Sequence, residues 1–126
     1  MPRQTAPQRP EIPPRGRRHE PFADAEQAWF WTMGALRARH EGGRSGGGGG
    51  IPRPCDPDDI IRCLDQLFRR GRIGVAHARV LRVWGERQMP PRGAAGDTPM
   101  EEKLWHEALA QLERVLQAKG VVISHI

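Results

Sequence analysis

The side chains best supplied to do chemistry in this chain are arginines. Arg69, Arg70, Arg72, Arg79, Arg82 and Arg87 crowd into one segment, DPDDIIRCLDQLFRRGRIGVAHARVLRVWGERQ, that follows Cys55. Guanidinium groups grip phosphates and guanine edges through paired N–H donors, so this cluster is the candidate nucleic-acid contact, to DNA or RNA. Other chemistries are thinly supplied. Ser45 and Ser124 are the only serines, and no nucleophile is spaced with a base, so no catalytic residue is expected. Cys63 keeps helical spacing with Ile60 and Leu67, which reads as a small buried hydrophobe and not a thiolate. Cys55 with His19, His40 or His106 lacks the close pair spacings of a zinc site, so no metal is expected. Asp56, Asp58 and Asp59 resemble an acidic cluster, but capping and the helix dipole account for all of them. His77 has no hydroxyl, thiol or carboxylate motif beside it and reads as structural.

The segments that must carry these groups are helical. Asp24 and Gln27 open a helix over 24–40, with Ala25, Trp29, Met33 and Leu36 as its buried stripe. Trp29, Phe30 and Trp31 in succession cannot all face one core, because successive helical residues point about 100° apart. They are the candidate partner-binding residues, toward a second copy of the chain or another protein. A second helix covers 56–70, with Asp56 as cap, Pro57 first, and Ile60, Ile61, Leu64, Leu67 and Phe68 as a wide buried face. Gly71 supplies its left-handed stop. The third helix runs from about 74 to 87 with Ile73, Ala76, Val80, Val83 and Trp84 inward and Leu81 beside them. Arg79, Arg82 and Glu86 lie outward. MPPRGAAG over 89–96 ends it in a loop. The fourth covers 99–119, with Thr98 as cap, Glu101 closing a capping box, Lys103 and Glu107 a turn apart, and Gly120 as stop. The tail VVISHI is β-prone and expected to pack as an extended end or to join a partner's edge.

Composition bounds the rest. The chain has 126 residues, a net charge of +5 and a pI near 10.5, which favours polyanionic partners. Lys103 and Lys119 are the only lysines, so the basic character is nearly all arginine, as a GC-rich coding bias would also produce. Residues 1–20 carry Pro2, Pro7, Pro10, Pro13 and Pro14 with little apolar content, and read as a disordered basic arm. EGGRSGGGGG over 41–50 lacks the lysine and hydroxyl residue of a phosphate loop and reads as a flexible linker inside a single domain over 21–126. No secretory signal and no membrane-spanning run is visible. Cys55 and Cys63, if both helical, lie about 12 Å apart along the axis, too far for a bridge, so reduced thiols in a cytoplasmic protein are expected.

The expected fold class is therefore all-α, a small bundle of about four helices. The middle pair resembles the helix–turn–helix family in outline only. With Gly71 as the turn glycine, Leu67 and His77 occupy positions where that family has a small and an apolar residue; with Gly74, Arg70 takes the small position. RPCDPDDIIRCLDQLFRR followed by HARVLRVWGERQMPP is similar to short bacterial helical proteins of unknown function, a resemblance that implies no activity. The expectation is a small basic non-enzymatic protein, nucleic-acid-associated or regulatory, without cofactor, small-molecule ligand or membrane partner. The alternative is a protein–protein adaptor or homo-oligomer built on the aromatic first helix.

Overall fold

Local chemistry sets each helix start. Asp24 Oδ1 accepts the Gln27 N–H at 2.8 Å while Gln27 Oε1 takes the Ala23 N–H at 2.7 Å. Asp59 reaches back to the Asp56 N–H at 2.9 Å, and Pro57 follows the cap. These groups satisfy donors that a helix start would otherwise leave bare. The computed structural model describes residues 19–42, 52–92 and 99–124. Its helices are α1 (Ala25–His40), α2 (Pro57–Arg69), α3 (Val75–Arg87) and α4 (Pro99–Ala118). The fold is all-α, as the periodicity predicts. The Thr98 cap, the arm up to residue 18 and most of the glycine-rich linker lie outside the described residues.

Glycine ends three of these helices, the first of them at Gly42 with φ 81° after α1. Gly71 and Gly120 adopt φ of 76° and 78°, which L side chains resist. Behind each, a six-to-one bond closes the turn: Arg72 N–H to Leu67 O at 2.9 Å, and Val121 N–H to Leu116 O at 2.8 Å. The second of these turns redirects the tail. Val121 O accepts the Phe22 N–H at 2.8 Å and Phe22 O accepts the Ile123 N–H at 2.9 Å, a single parallel bridge between Phe22 and Val122. The β-prone tail thus finds its partner in the chain's own segment before α1, which the sequence does not advertise as a strand. Arg53 locks this junction, with its guanidinium 4.3 Å from the Phe22 ring centroid and Nη1 donating to Glu20 O at 3.1 Å.

Helix α1 packs on α2, α3 and α4, and α4 packs on α2 and α3; α2 and α3 scarcely touch each other. The central pair is therefore α1 and α4, with α2 and α3 on either side of it. Trp84, Trp105, Phe22, Ile60, Leu81, Leu112 and Leu116 fill the core. Burying one such tryptophan removes about 150–250 Å² from water, a gross gain of about 4–6 kcal/mol before ordering costs. The indole N–H groups of Trp84 and Trp105 have no acceptor among the described residues, each a penalty of about 1–3 kcal/mol. Trp29 is better served, since its Nε1 donates to Leu81 O at 2.8 Å.

The α1–α3 crossing depends on Gly85. A Cβ there would lie 2.6 Å from Trp29 Nε1 and 2.7 Å from Met33 Cγ, so only glycine lets the two helices approach this closely. Gln88, at φ 60°, caps α3 and sends its Nε2 to Gly85 O at 2.9 Å and Phe30 O at 3.1 Å. Arg37 adds a bond from Nη2 to Glu86 O across the same crossing.

Three packing expectations are corrected. Ala76 is exposed, because the buried arc of α3 runs through Val80, Leu81, Trp84 and Gly85 and leaves residue 76 outside it. Phe68 is 44 % exposed, because only one edge of α2 is covered. Met33 and Leu36 of the α1 stripe are half-buried, while Ala28 and Thr32 are fully buried in their place.

Candidate functional site

Along the chain, arginines divide at the bend after α2. Among the described residues, Arg37, Arg39, Arg53 and Arg62, which precede it, are engaged within the fold. Arg39 pairs with Asp58 at 3.3 Å and ties α1 to α2; Arg62 pairs with Asp59 at 2.8 Å; Arg37 and Arg53 bind backbone carbonyls. Arg69 pairs with Asp65 at 2.8 Å, although its side chain stays 75 % exposed. Arg70, Arg72, Arg79 and Arg82 are exposed, and no acidic group among the described residues pairs with them. Arg87 is spent partly on packing, with its guanidinium 4.4 Å from the Trp84 ring centroid. The six sequence-derived arginines therefore separate into four with free donors, one shared with a carboxylate, and one laid on an aromatic ring.

Histidine 77 fixes the bend that presents them. Its Nδ1 accepts the Gly74 N–H at 2.9 Å, and its Nε2 stands 2.9 Å from Glu107 Oε1. Accepting at Nδ1 requires that nitrogen to be unprotonated, so Nε2 carries the proton and donates to Glu107. The imidazole thus caps α3 and pins it to α4, as the structural reading of this histidine anticipates. Lys103 Nζ approaches the other oxygen of Glu107 at 3.9 Å.

The aromatic trio of α1 lies differently from a protruding anchor. Trp29 is 3 % exposed and hydrogen-bonded in the core, so it offers a partner no surface. Phe30 leans on Trp105 with ring centroids 5.6 Å apart, and Trp31 on Phe22 at 5.1 Å. Both are half-buried against the core.

Apolar surface that is open lies elsewhere, in a cleft of about 270 Å³ where α2 and α3 diverge. Ile61, Leu64, Asp65 and Phe68 of α2 line it with Ile73 of the bend and Ala78 of α3. By helical spacing, Ile60, Ile61, Leu64, Leu67 and Phe68 form one wide apolar face. At about 100° per residue, Ile60, Cys63 and Leu67 form one edge of that face, and Ile61, Leu64 and Phe68 form another, about 100° round the helix. The first edge is buried; the second is only partly covered. The excess width of the apolar arc was the available signal.

Two further clefts gather titratable side chains. A cleft of about 340 Å³ holds Cys55 and Cys63 with Asp59, Arg62 and Lys119. Cys55 precedes α2 instead of lying in it; burial, reinforced by Asp59 and Asp56, pushes its thiol up to about 11. Burial raises Cys63 as well, and both cysteines are free thiols. Thiols held protonated are poor nucleophiles. A cleft of about 210 Å³ gathers Asp24, Glu26, His106 and Glu113. Burial, then the charge of Asp24, raises the Glu26 carboxyl, and Glu113 Oε1 accepts the Ala25 N–H at 2.9 Å as a cap for α1. Among the described residues no three histidine, cysteine or acidic side chains converge as metal ligands, and no helix is long and apolar enough to cross a membrane.

No protein-family model matches the chain, and no curated protein or solved structure is significantly similar to it, in keeping with a sequence in which no characterised family is recognised.

Proposed function

We propose that this is a small non-enzymatic binding protein that engages a polyanion, nucleic-acid phosphate in the first place, through Arg70, Arg72, Arg79 and Arg82. Arg69 and Arg87 stand at the margins of that surface. One observation carries the reading: Arg37, Arg39, Arg53, Arg62 and Arg69 meet carboxylates or carbonyls, whereas these four keep their donors free on one bend and the following helix. Exposed guanidiniums that hold no ion pair add positive potential and can bind phosphate without first breaking an internal pair, even with Glu86 on the same outward face as Arg79 and Arg82. The outward face of α3 carries no Asn, Gln, Ser or Thr beside them, so phosphate contact is favoured over base reading.

Salt titration of binding to a DNA duplex and to an RNA of equal length tests this. Four phosphate contacts predict a log–log slope of about −3.6 on duplex DNA, at about −0.9 per contact. Replacing Arg70 and Arg72 with alanine should flatten the slope by about two contacts' worth. A slope near zero, or affinity indifferent to those substitutions, would remove the reading.

A further inference from the structure

We infer that the cleft between α2 and α3 is a docking groove for an acidic amphipathic helix of another protein. The inference does not rest on the nucleic-acid reading. Ile61, Leu64 and Phe68 recur at i, i+3 and i+7 along one wall, Ile73 forms the floor, and Ala78 stands opposite. Phe68 is 44 % exposed, and Val75, one turn before Ala78 on α3, is 63 % exposed. Apolar walls at that spacing accept the apolar stripe of a helix laid along them.

Charge decides which helix. Arg72 adjoins the floor residue Ile73, and Arg82 follows Ala78 by one helical turn; neither has an acidic partner among the described residues. Asp65, the one carboxylate in the lining, is already paired with Arg69 at 2.8 Å. By their place in the chain, two unpaired arginines therefore flank the lining, and the one lining carboxylate is already neutralised. The chain's own first 18 residues hold Arg3, Arg9, Arg15, Arg17 and Arg18 against Glu11 alone, and would bring like charge to these arginines. A second copy docking symmetrically would oppose arginine with arginine. Glutamate or aspartate flanking apolar anchors meets both the walls and the flanking arginines.

The probe is a synthetic amphipathic helix with leucine and phenylalanine at i, i+3, i+4 and i+7 and glutamate on its flanks. Its control carries lysine in place of each glutamate. Binding to the full chain is read by fluorescence anisotropy and by side-chain chemical shifts. The glutamate peptide should bind saturably and shift Ile61, Leu64, Phe68, Ile73 and Ala78. Phe68→Ala should weaken it by about tenfold or more, a hot-spot-sized loss. Arg72→Ala with Arg82→Ala should weaken it several-fold, an effect that fades with added salt. Ala78→Glu, at a half-buried position in the groove wall outside the core cluster, should abolish it. Equal binding of the lysine peptide would overturn the inference. So would binding indifferent to both Phe68→Ala and Ala78→Glu, or groove shifts that appear with protein concentration alone. A duplex that shifts the groove side chains while the glutamate peptide does not would assign the groove to nucleic acid and overturn it too.

Discussion

Helix α3 meets α1 and α2 in opposite ways. Against α1 it closes completely: Gly85 removes the side chain at the crossing, Trp29 reaches across it to Leu81 O at 2.8 Å, and Gln88 ties the end of α3 to Phe30 O at 3.1 Å. Against α2, to which only the short bend from Arg70 to Gly74 connects it, α3 scarcely packs, and a cleft remains. Proximity in sequence therefore does not decide which helices pack. The close approach at one glycine draws α3 onto α1 and α4 and so leaves the far edge of α2 uncovered. Surface available for binding is a consequence of where the core closes.

The harshest test of that contrast is Gly85→Val. Side-chain atoms forced to within 2.6–2.7 Å of Trp29 and Met33 must part the helices, at a cost of about 3 kcal/mol that urea denaturation would register. A loss below about 1 kcal/mol would show that the crossing yields easily, and the closed description would fail. Trp29→Phe should cost about 2 kcal/mol, from the lost hydrogen bond and the space left behind. Gly34→Ala is the matched control in α1. A Cβ there meets only the Gln88 amide at 4.0 Å, so the helix should gain about 0.5–1 kcal/mol instead of losing stability. On the open side, Phe68→Ala should change stability by less than about 1 kcal/mol, against about 2–5 for Ile60→Ala on the covered edge of the same helix. Similar costs for the two would mean that the groove is part of the core.

Smallest of all should be the effect of pH through Cys55. Its thiol is raised by burial to about 11, so the fold keeps it protonated where an unfolded chain would already ionise. Any stability from this difference is present below the ordinary thiol range and is lost as pH rises toward about 11. Alkylation of Cys55, followed by mass spectrometry, should be slow at neutral pH and climb about tenfold per pH unit into that range. Rapid labelling at neutral pH would contradict it.

Much of this molecule could be read before any coordinates. The spans 24–40, 56–70, 74–87 and 99–119 match α1 to α4 within a residue or two, because caps, prolines and terminal glycines act through bonds only a few residues long. The bond of His77 to the Gly74 N–H and the outward turn of Arg79 and Arg82 belong to the same local layer, whereas the Glu107 carboxylate that His77 also meets lies 30 residues on and has no motif to announce it. Phe22 did not show itself, since nothing in PFAD marks a segment that pairs with Val121 and Ile123. Nor did Gly85, which looks like any glycine in a helix until its distance from Trp29 is known.

Helical periodicity, capping and charge composition follow from covalent neighbours, and the amino-acid order alone determined them. Which half of an over-wide apolar arc is covered, which guanidiniums meet a carboxylate and which aromatic rings leave the surface depend on how the helices cross. That crossing is chosen by packing between residues far apart in the chain, where one missing side chain can outweigh every local preference.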